Sequence, residues 1–181
     1  MPVSAVLLFE DEVIVGLFPV PRRARSLKGG PAAVNITGEN AGRVSFGVMN
    51  LRTGHRMVMR YGAMRQSGFR AFLELLGRRY AGRQIWLLLD AARSHVALKS
   101  QALAAALAIE PIRLPKQCPE LNAMDHLWQE VRAAISANSP YANIEEHASV
   151  AENYILQLTN KKALLRAGIR AKNFWLKSFF K

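Results

Sequence analysis

Acidic residues are scarce in this 181-residue chain, 13 Asp and Glu against 25 Lys and Arg, and cysteine is nearly missing, with Cys118 alone. A lone cysteine can form no internal disulfide and no cysteine-based zinc site, which excludes disulfide-stapled secreted scaffolds and fits a reducing cytoplasm. Long apolar runs are lacking as well: none approaches the roughly 18 residues of a membrane span. The first such run, Val6-Leu7-Leu8-Phe9, has no basic leader and is broken at once by Glu10-Asp11-Glu12. No internal repeat or low-complexity linker divides the chain, so residues 1–181 are expected to form one domain around one core.

What is present is positive charge. The formal net charge is +12 and the pI about 10.6, values expected of a nucleic-acid partner. The cations cluster, first as Arg22, Arg23, Arg25 and Lys28, then as Arg52, Arg56, Arg60, Arg65 and Arg70, which suits contact with successive phosphates better than dispersed charge that serves solubility alone.

Patterning predicts a mixed α/β fold. Residues 3–9 read as a buried strand, followed by the acids and a loop through Pro19, Pro21, Gly29, Gly30 and Pro31. Val44–Leu51 and Arg56–Tyr61 flank Arg52-Thr53-Gly54-His55, which has the composition of a hairpin turn. Phe69, Phe72, Leu73, Leu76 and Tyr80 recur at helical spacing, with Ser67 as a cap and a stop near Gly82. A strand over 84–89, an Ala-rich helix over 98–108 and a short strand over 109–114 follow. After Asn122, the residues Met124, Leu127, Trp128, Val131 and Ile135 form one helical stripe, and the tail from Asn143 is helical to about Gly168.

Three acids stand out against this pattern. Asp11 and Asp90 each follow a continuous apolar run, where a strand end meets solvent and ligand, and Asp125 falls in the first turn of a helix after Asn122. Each has a plainer explanation: acids terminate strands as turn formers, and Asp125 at the third helical position could complement a cap and the helix dipole. Together, three carboxylates at element ends are what a protein needs to hold divalent cations for phosphodiester chemistry. Glu10 and Glu12 are expected to be solvated, with a metal contact open to either if the choice of Asp11 is off by one. His95 is expected to hold structure or touch phosphate rather than ligate metal. A nucleophilic reading of Ser94, His95 and Asp90 fails, since such close neighbours cannot present a nucleophile to its base without special geometry.

The surroundings of these acids are more specific. Leu114-Pro115, then Pro119-Glu120-Leu121-Asn122, Asp125 and Trp128, resemble the Leu-Pro-x-Tyr-Ser-Pro-Glu-Leu-Asn-Pro-Ile-Glu-x-x-Trp pattern of transposase catalytic domains from bacterial insertion sequences related to the mariner elements. Leu89-Asp90 with His95 resembles the family's Leu-Asp-Asn-x-x-x-His block, and Phe9-Glu10-Asp11-Glu12 with Phe18-Pro19 its first Asp-Glu block. The 34 residues between Asp90 and Asp125 match the family spacing, and Asp as third acid is the mariner choice. Ala91 replaces the usual Asn, Gln117 and Cys118 replace Tyr-Ser, and Ala123-Met124 replaces Pro-Ile, yet no carboxylate is lost.

The resemblance implies a ribonuclease H-like fold, a mixed five-stranded sheet flanked by helices, and a DDE/DDD-type endonuclease and strand transferase that cleaves and joins transposon ends. Asp11, Asp90 and Asp125 would be the catalytic metal ligands for Mg²⁺ or Mn²⁺, as two ions. His95 and Asn122 would support them from behind. Arg22, Arg23, Arg25, Lys28, Arg93 and Lys116 would contact DNA. Assembly as a homodimer on DNA and a bacterial, nucleoid-associated location follow from the same resemblance. Such transposases carry N-terminal helix-turn-helix modules, whereas ten residues precede Asp11 here. The chain therefore reads as the second frame of a split element, served by a separate helix-turn-helix protein, or as a fragment or remnant. An inactive nucleic-acid-binding remnant and a ribonuclease H-like nuclease remain open beside the transposase.

Overall fold

The computed structural model describes residues 5–20, 22–23, 28, 33–34, 36 and 38–177. Three strands, β1 (Val6–Gly16), β2 (Gly42–Asn50) and β3 (Arg56–Tyr61), form an antiparallel meander. Helix α1 (Gln66–Arg79) then leads to β4 (Ile85–Leu89), and α2 (Arg93–Val96) with α3 (Leu98–Ala106) leads to β5 (Ile109–Arg113). A 3₁₀ turn, Pro119–Leu121, precedes α4 (Ala123–Val131), which continues as a π-helical segment, Arg132–Ser136. Helices α5 (Ile144–Leu156) and α6 (Asn160–Arg166) complete the chain. Strand order is β3-β2-β1-β4-β5, with β4 parallel to both β1 and β5.

Alternation along β1 assigns its two faces, because successive side chains of a strand point to opposite sides. Leu7, Phe9, Val13 and Val15 join Met124, Leu127, Trp128 and Ile155 in one core, under α4, α5 and α6. Val6 and Leu8 face the other core, built from Phe69, Phe72, Leu73 and Leu76 of α1 with Ala104 of α3. The sheet thus lies between two helical layers, and burial on both faces explains the near-continuous apolar runs of β1 and β4.

The first strand is longer than the sequence suggests. It runs unbroken through the acids to Gly16, so Asp11 lies inside β1 instead of closing it. The reason is periodicity: Asp11 continues the face of Leu7 and Phe9, and Val13 and Val15 resume it. Asp11 nevertheless stands at a strand end, that of its neighbour. Phe9 pairs with Leu88 in the parallel ladder, and continuing that register by two positions brings Asp11 level with Asp90, just past the end of β4.

The hairpin is as the sequence predicts, with Gly54 at φ +73° and Asn50 Oδ1 accepting from Arg52 and Thr53 N–H. Ser67 is not the cap of α1; Arg65 precedes the first turn and makes no side-chain cap bond. Among the described residues no helix is long and apolar enough to cross a membrane.

Candidate active site

Asp11, Asp90 and Asp125 line one cavity of about 450 Å³ at the end of β4, together with Ala91, Ala92, the segment Leu114–Pro119 and Asn122. Three segments far apart in sequence therefore deliver carboxylates to one concavity. What brings α4 there is a set of contacts with the backbone of β1. Asn122 caps α4 by accepting from Met124 N–H at 3.0 Å, while its Nδ2 donates to Glu10 O at 2.8 Å. Trp128, fully buried, donates from Nε1 to Asp11 O at 3.3 Å. One turn of helix before that indole, Asp125 is turned to the cavity.

Each acid is held differently. Asp90 accepts from Ala92 N–H at 2.8 Å, and its Oδ1 lies 2.9 Å from His95 Nδ1. The His95 hydrogen bond holds Asp90 below the usual carboxylate range, with help from the Ala92 amide. Asp125 accepts from Gln129 Nε2 at 2.6 Å and pairs with Arg132 at 3.1 Å. Burial first, then the charges of Asp125, Glu12 and Asp90, push Asp11 up to about 8. A buried carboxyl raised further by neighbouring carboxylates sits where positive charge is short, and an all-oxygen donor set of this kind suits a hard divalent cation. The donor chemistry of these residues fits the metal ions that the sequence resemblance implies, while the group of three whose ligating atoms lie within 4.8 Å of one another among the described residues is Glu10, Glu12 and His95.

The expectation that Glu10 and Glu12 are solvated is overturned. They project from β1 on the face opposite Asp11, into the core under α1, and their side chains are 0% and 5% exposed. His95 lies against them, with Nε2 2.9 Å from Glu12 Oε1 and 3.5 Å from Glu10 Oε2, and its ring meets Phe69 at 4.4 Å between centroids. The ligating atoms of Glu10, Glu12 and His95 lie within 4.8 Å of one another. Burial, reinforced by Glu12, raises Glu10 well above its ordinary value. Burial alone would pull His95 down, but the charge of Glu10 and hydrogen bonds to Asp90 and Glu12 raise it. The shorter contacts are those to Asp90 and Glu12, so a charged imidazole bridges these two carboxylates, and Glu10, whose oxygens have no hydrogen-bond partner, lies beside it.

Lys116 and Asn122 line the cavity, and Arg93 lines a neighbouring one. Arg22, Arg23 and Lys28 line neither; Arg22 is tied through its backbone to Asn138, and Arg25 lies outside the described residues. Two arginines from the second cluster are structural. Arg56, buried, donates to Ile155 O at 3.1 Å and also to Gly54 O, Leu158 O and Asn160 Oδ1, pinning the hairpin to the turn between α5 and α6. Arg60 is bound by Glu145 and Glu152 of α5. Arg132 was not singled out by the sequence, although it lies seven residues after Asp125, two helical turns on the same face.

A family model described as DDE superfamily endonuclease matches residues 6–147. The structure is similar to Mos1 transposase in a paired-end complex with the left transposon end, at 17% identity and TM-score 0.69, over 89% of this chain and 51% of that one. It is similar to the mariner Mos1 paired-end complex with Mg, at 16% identity and TM-score 0.69, over 90% and 51%. The catalytic domain of Mos1 mariner transposase matches at 12% identity and TM-score 0.63, over 89% and 74%. The chain thus spans about half the length of the first two and shares the ribonuclease H-like fold of the third. Comparison with curated protein sequences gives no match.

Proposed function

The chain belongs to the DDE superfamily of endonucleases, and from this footing we propose that it is the catalytic part of a transposase that cleaves and joins DNA at transposon ends. The observation that carries the reading is that Asp11, Asp90 and Asp125 line one cavity, with Asp11 raised by burial and then by its acidic neighbours. These three would hold Mg²⁺ or Mn²⁺, as two ions. Bound there, the ions would activate a water or a 3′-hydroxyl on one side of the phosphorus and stabilise the leaving oxygen on the other.

The protein's own residues would order this site. His95, as an imidazolium, would fix the Asp90 carboxylate through Nδ1 and be fixed in turn by Glu12. Asn122 would keep α4, and with it Asp125, in register with Glu10 and Asp11 of β1. Arg132 would orient Asp125 in the cavity without holding it firmly, since a single pair with a partly exposed guanidinium is weak, and so leave its carboxylate able to serve as a metal ligand. Lys116, at the cavity wall, would meet a phosphate oxygen of the strand, and Arg22, Arg23 and Lys28 would add contacts to phosphate that carry no sequence information. Handling two ends at once favours a homodimer on DNA, with recognition of the ends left to helix-turn-helix modules on this or a separate chain.

Nicking of duplex DNA carrying the element's terminal repeats, assayed with Mg²⁺, Mn²⁺ or EDTA, tests the proposal. Metal-dependent nicking followed by strand joining supports a transposase. Cleavage confined to the RNA strand of a hybrid favours a ribonuclease, and binding without cleavage under any metal favours an inactive remnant.

A further inference from the structure

Beside the acidic cavity opens a second concavity of about 780 Å³, and Ala92 lines both. Its wall carries Arg65, Arg70, Arg93 and Lys99, and no carboxylate. Several arginines elsewhere in this protein are engaged: Arg43 and Arg60 by Glu145, Arg132 by Asp125, Arg166 by Glu130 and Arg56 by backbone carbonyls. The side chains of these four have no hydrogen bond or ion pair among the described residues. Four uncompensated cations held around one hollow repel one another, an arrangement that an anion would relieve.

The backbone adds to the same field. Helix α1 opens on this cavity through Gln66 and Ser67, has no acid in its first turn and no side-chain cap. A helix of 14 residues with a free N-terminus presents amide N–H groups and the positive end of its dipole to whatever occupies the hollow. Ser67 adds a hydroxyl there, oriented by Tyr61 at 3.3 Å.

We propose that this second cavity is a phosphate-binding subsite for the DNA strand that enters the acidic cavity: it grips backbone phosphates on one side of the scissile bond, and the strand passes between the two hollows at Ala92. The inference rests on the endonuclease reading of the acidic cavity, but it makes a separate claim about which cations carry DNA affinity. Arg65, Arg70 and Lys99 act with Arg93 as a unit, while phosphate contact without base contact leaves the subsite indifferent to sequence.

The test compares binding of the full chain to a random duplex over a range of salt with that of the Arg65→Gln/Arg70→Gln/Lys99→Gln variant. Each phosphate contact contributes a slope of about −0.9 in log K against log salt for duplex DNA. Loss of three contacts should therefore flatten the slope by about 2.7, with a large fall in affinity at low salt. The comparison variant, Arg78→Gln/Arg79→Gln, removes cations at the far end of α1, about 20 Å away at 1.5 Å per residue. It should change the slope little. Equal losses in the two variants, an unchanged triple variant, or a parent chain that does not bind DNA would each overturn the subsite. A larger loss for duplex RNA than for DNA would overturn DNA as the occupant. If the triple variant does not melt cooperatively, Lys99→Glu alone, at an exposed position, serves instead and should cost more affinity than Arg78→Glu. Binding of Mg²⁺, followed as a thermal shift, should be the same in all variants. A parent chain that shows the subsite effect but never nicks DNA would count against the endonuclease reading alone.

Discussion

Asp11 and Gly47 are cross-strand partners in the β1–β2 ladder, and the glycine is what lets α4 lie across the acid. A Cβ at Gly47 would meet Met124 Cε at 2.4 Å and Trp128 Cζ2 at 2.5 Å. The methionine end can move, but Trp128 is fully buried and its indole nitrogen is bonded to Asp11 O. The approach of Asp125 to Asp11 therefore depends on a missing side chain on the neighbouring strand.

Gly47→Ala should destabilise the fold by about 1–3 kcal/mol, the usual cost of overpacking. It should also weaken the thermal shift produced by Mg²⁺, since α4 must back away with Asp125. Urea denaturation gives the first quantity and melting with and without Mg²⁺ the second. A variant that keeps both unchanged would show that α4 is not set by this contact.

Stability of the metal-free protein should depend on pH through Asp11 and Glu10. Asp11 is raised from 3.8 to about 8 and Glu10 is raised too, so between about pH 4 and pH 8 the folded state binds more protons than the unfolded chain. Stability then falls as pH rises through that window, by at most about 1.4 kcal/mol per pH unit for each group. Divalent cations bind the deprotonated site, so the stabilisation by Mg²⁺ should grow with pH over the same range. Melting curves at pH 5 to 9 with EDTA or Mg²⁺ decide it, and a metal-free protein that gains stability toward pH 8 would contradict it.

His95→Leu should cost about 3–5 kcal/mol, because it leaves Glu12 and Asp90 without their buried cation. His95→Lys, which keeps charge but not the two-sided geometry, should recover part of the stability and little nicking. Full recovery of nicking by lysine would mean that charge alone, not the fixed orientation of Asp90, is what His95 supplies.

Arg56→Met should destabilise by about 1–3 kcal/mol for each buried carbonyl left without a donor, yet leave the salt dependence of DNA binding unchanged. Arg56 spends its guanidinium on Ile155, Leu158 and Gly54 carbonyls. A flattened salt slope in the folded variant would return Arg56 to the DNA surface.

The sequence was legible where local rules decide. The hairpin at Gly54, the stripe of Met124, Leu127 and Trp128, and the apolar run closed by Asp90 each carry their own period and punctuation. It was least legible where charge interrupts a strand. Glu10, Asp11 and Glu12 look like a solvated break, but alternation sends Asp11 to the cavity and both glutamates under α1, where their partner His95 lies 83 residues from Glu12. The arginine clusters misled for a similar reason. Whether Arg56, Arg60 or Arg65 is free depends on what α5 places opposite them, and only tertiary structure supplies Glu145, Glu152 and the Ile155 carbonyl. The gathering of Arg65, Arg70, Arg93 and Lys99 around one hollow likewise needs α1 and α2 side by side.

The most direct measurement is Mg²⁺-dependent nicking of terminal-repeat DNA by Asp11→Asn, paired with its melting temperature at pH 8. Asparagine fills the same space, removes the charge crowded by Asp125, Glu12 and Asp90, and is a poor ligand for a hard cation. The account predicts a folded variant at least as stable as the parent without metal, stabilised less by Mg²⁺, and with nicking reduced to the metal-free background. A variant that still nicks with Mg²⁺ at the parent's rate would contradict the assignment of Asp11, Asp90 and Asp125 as the metal-binding centre.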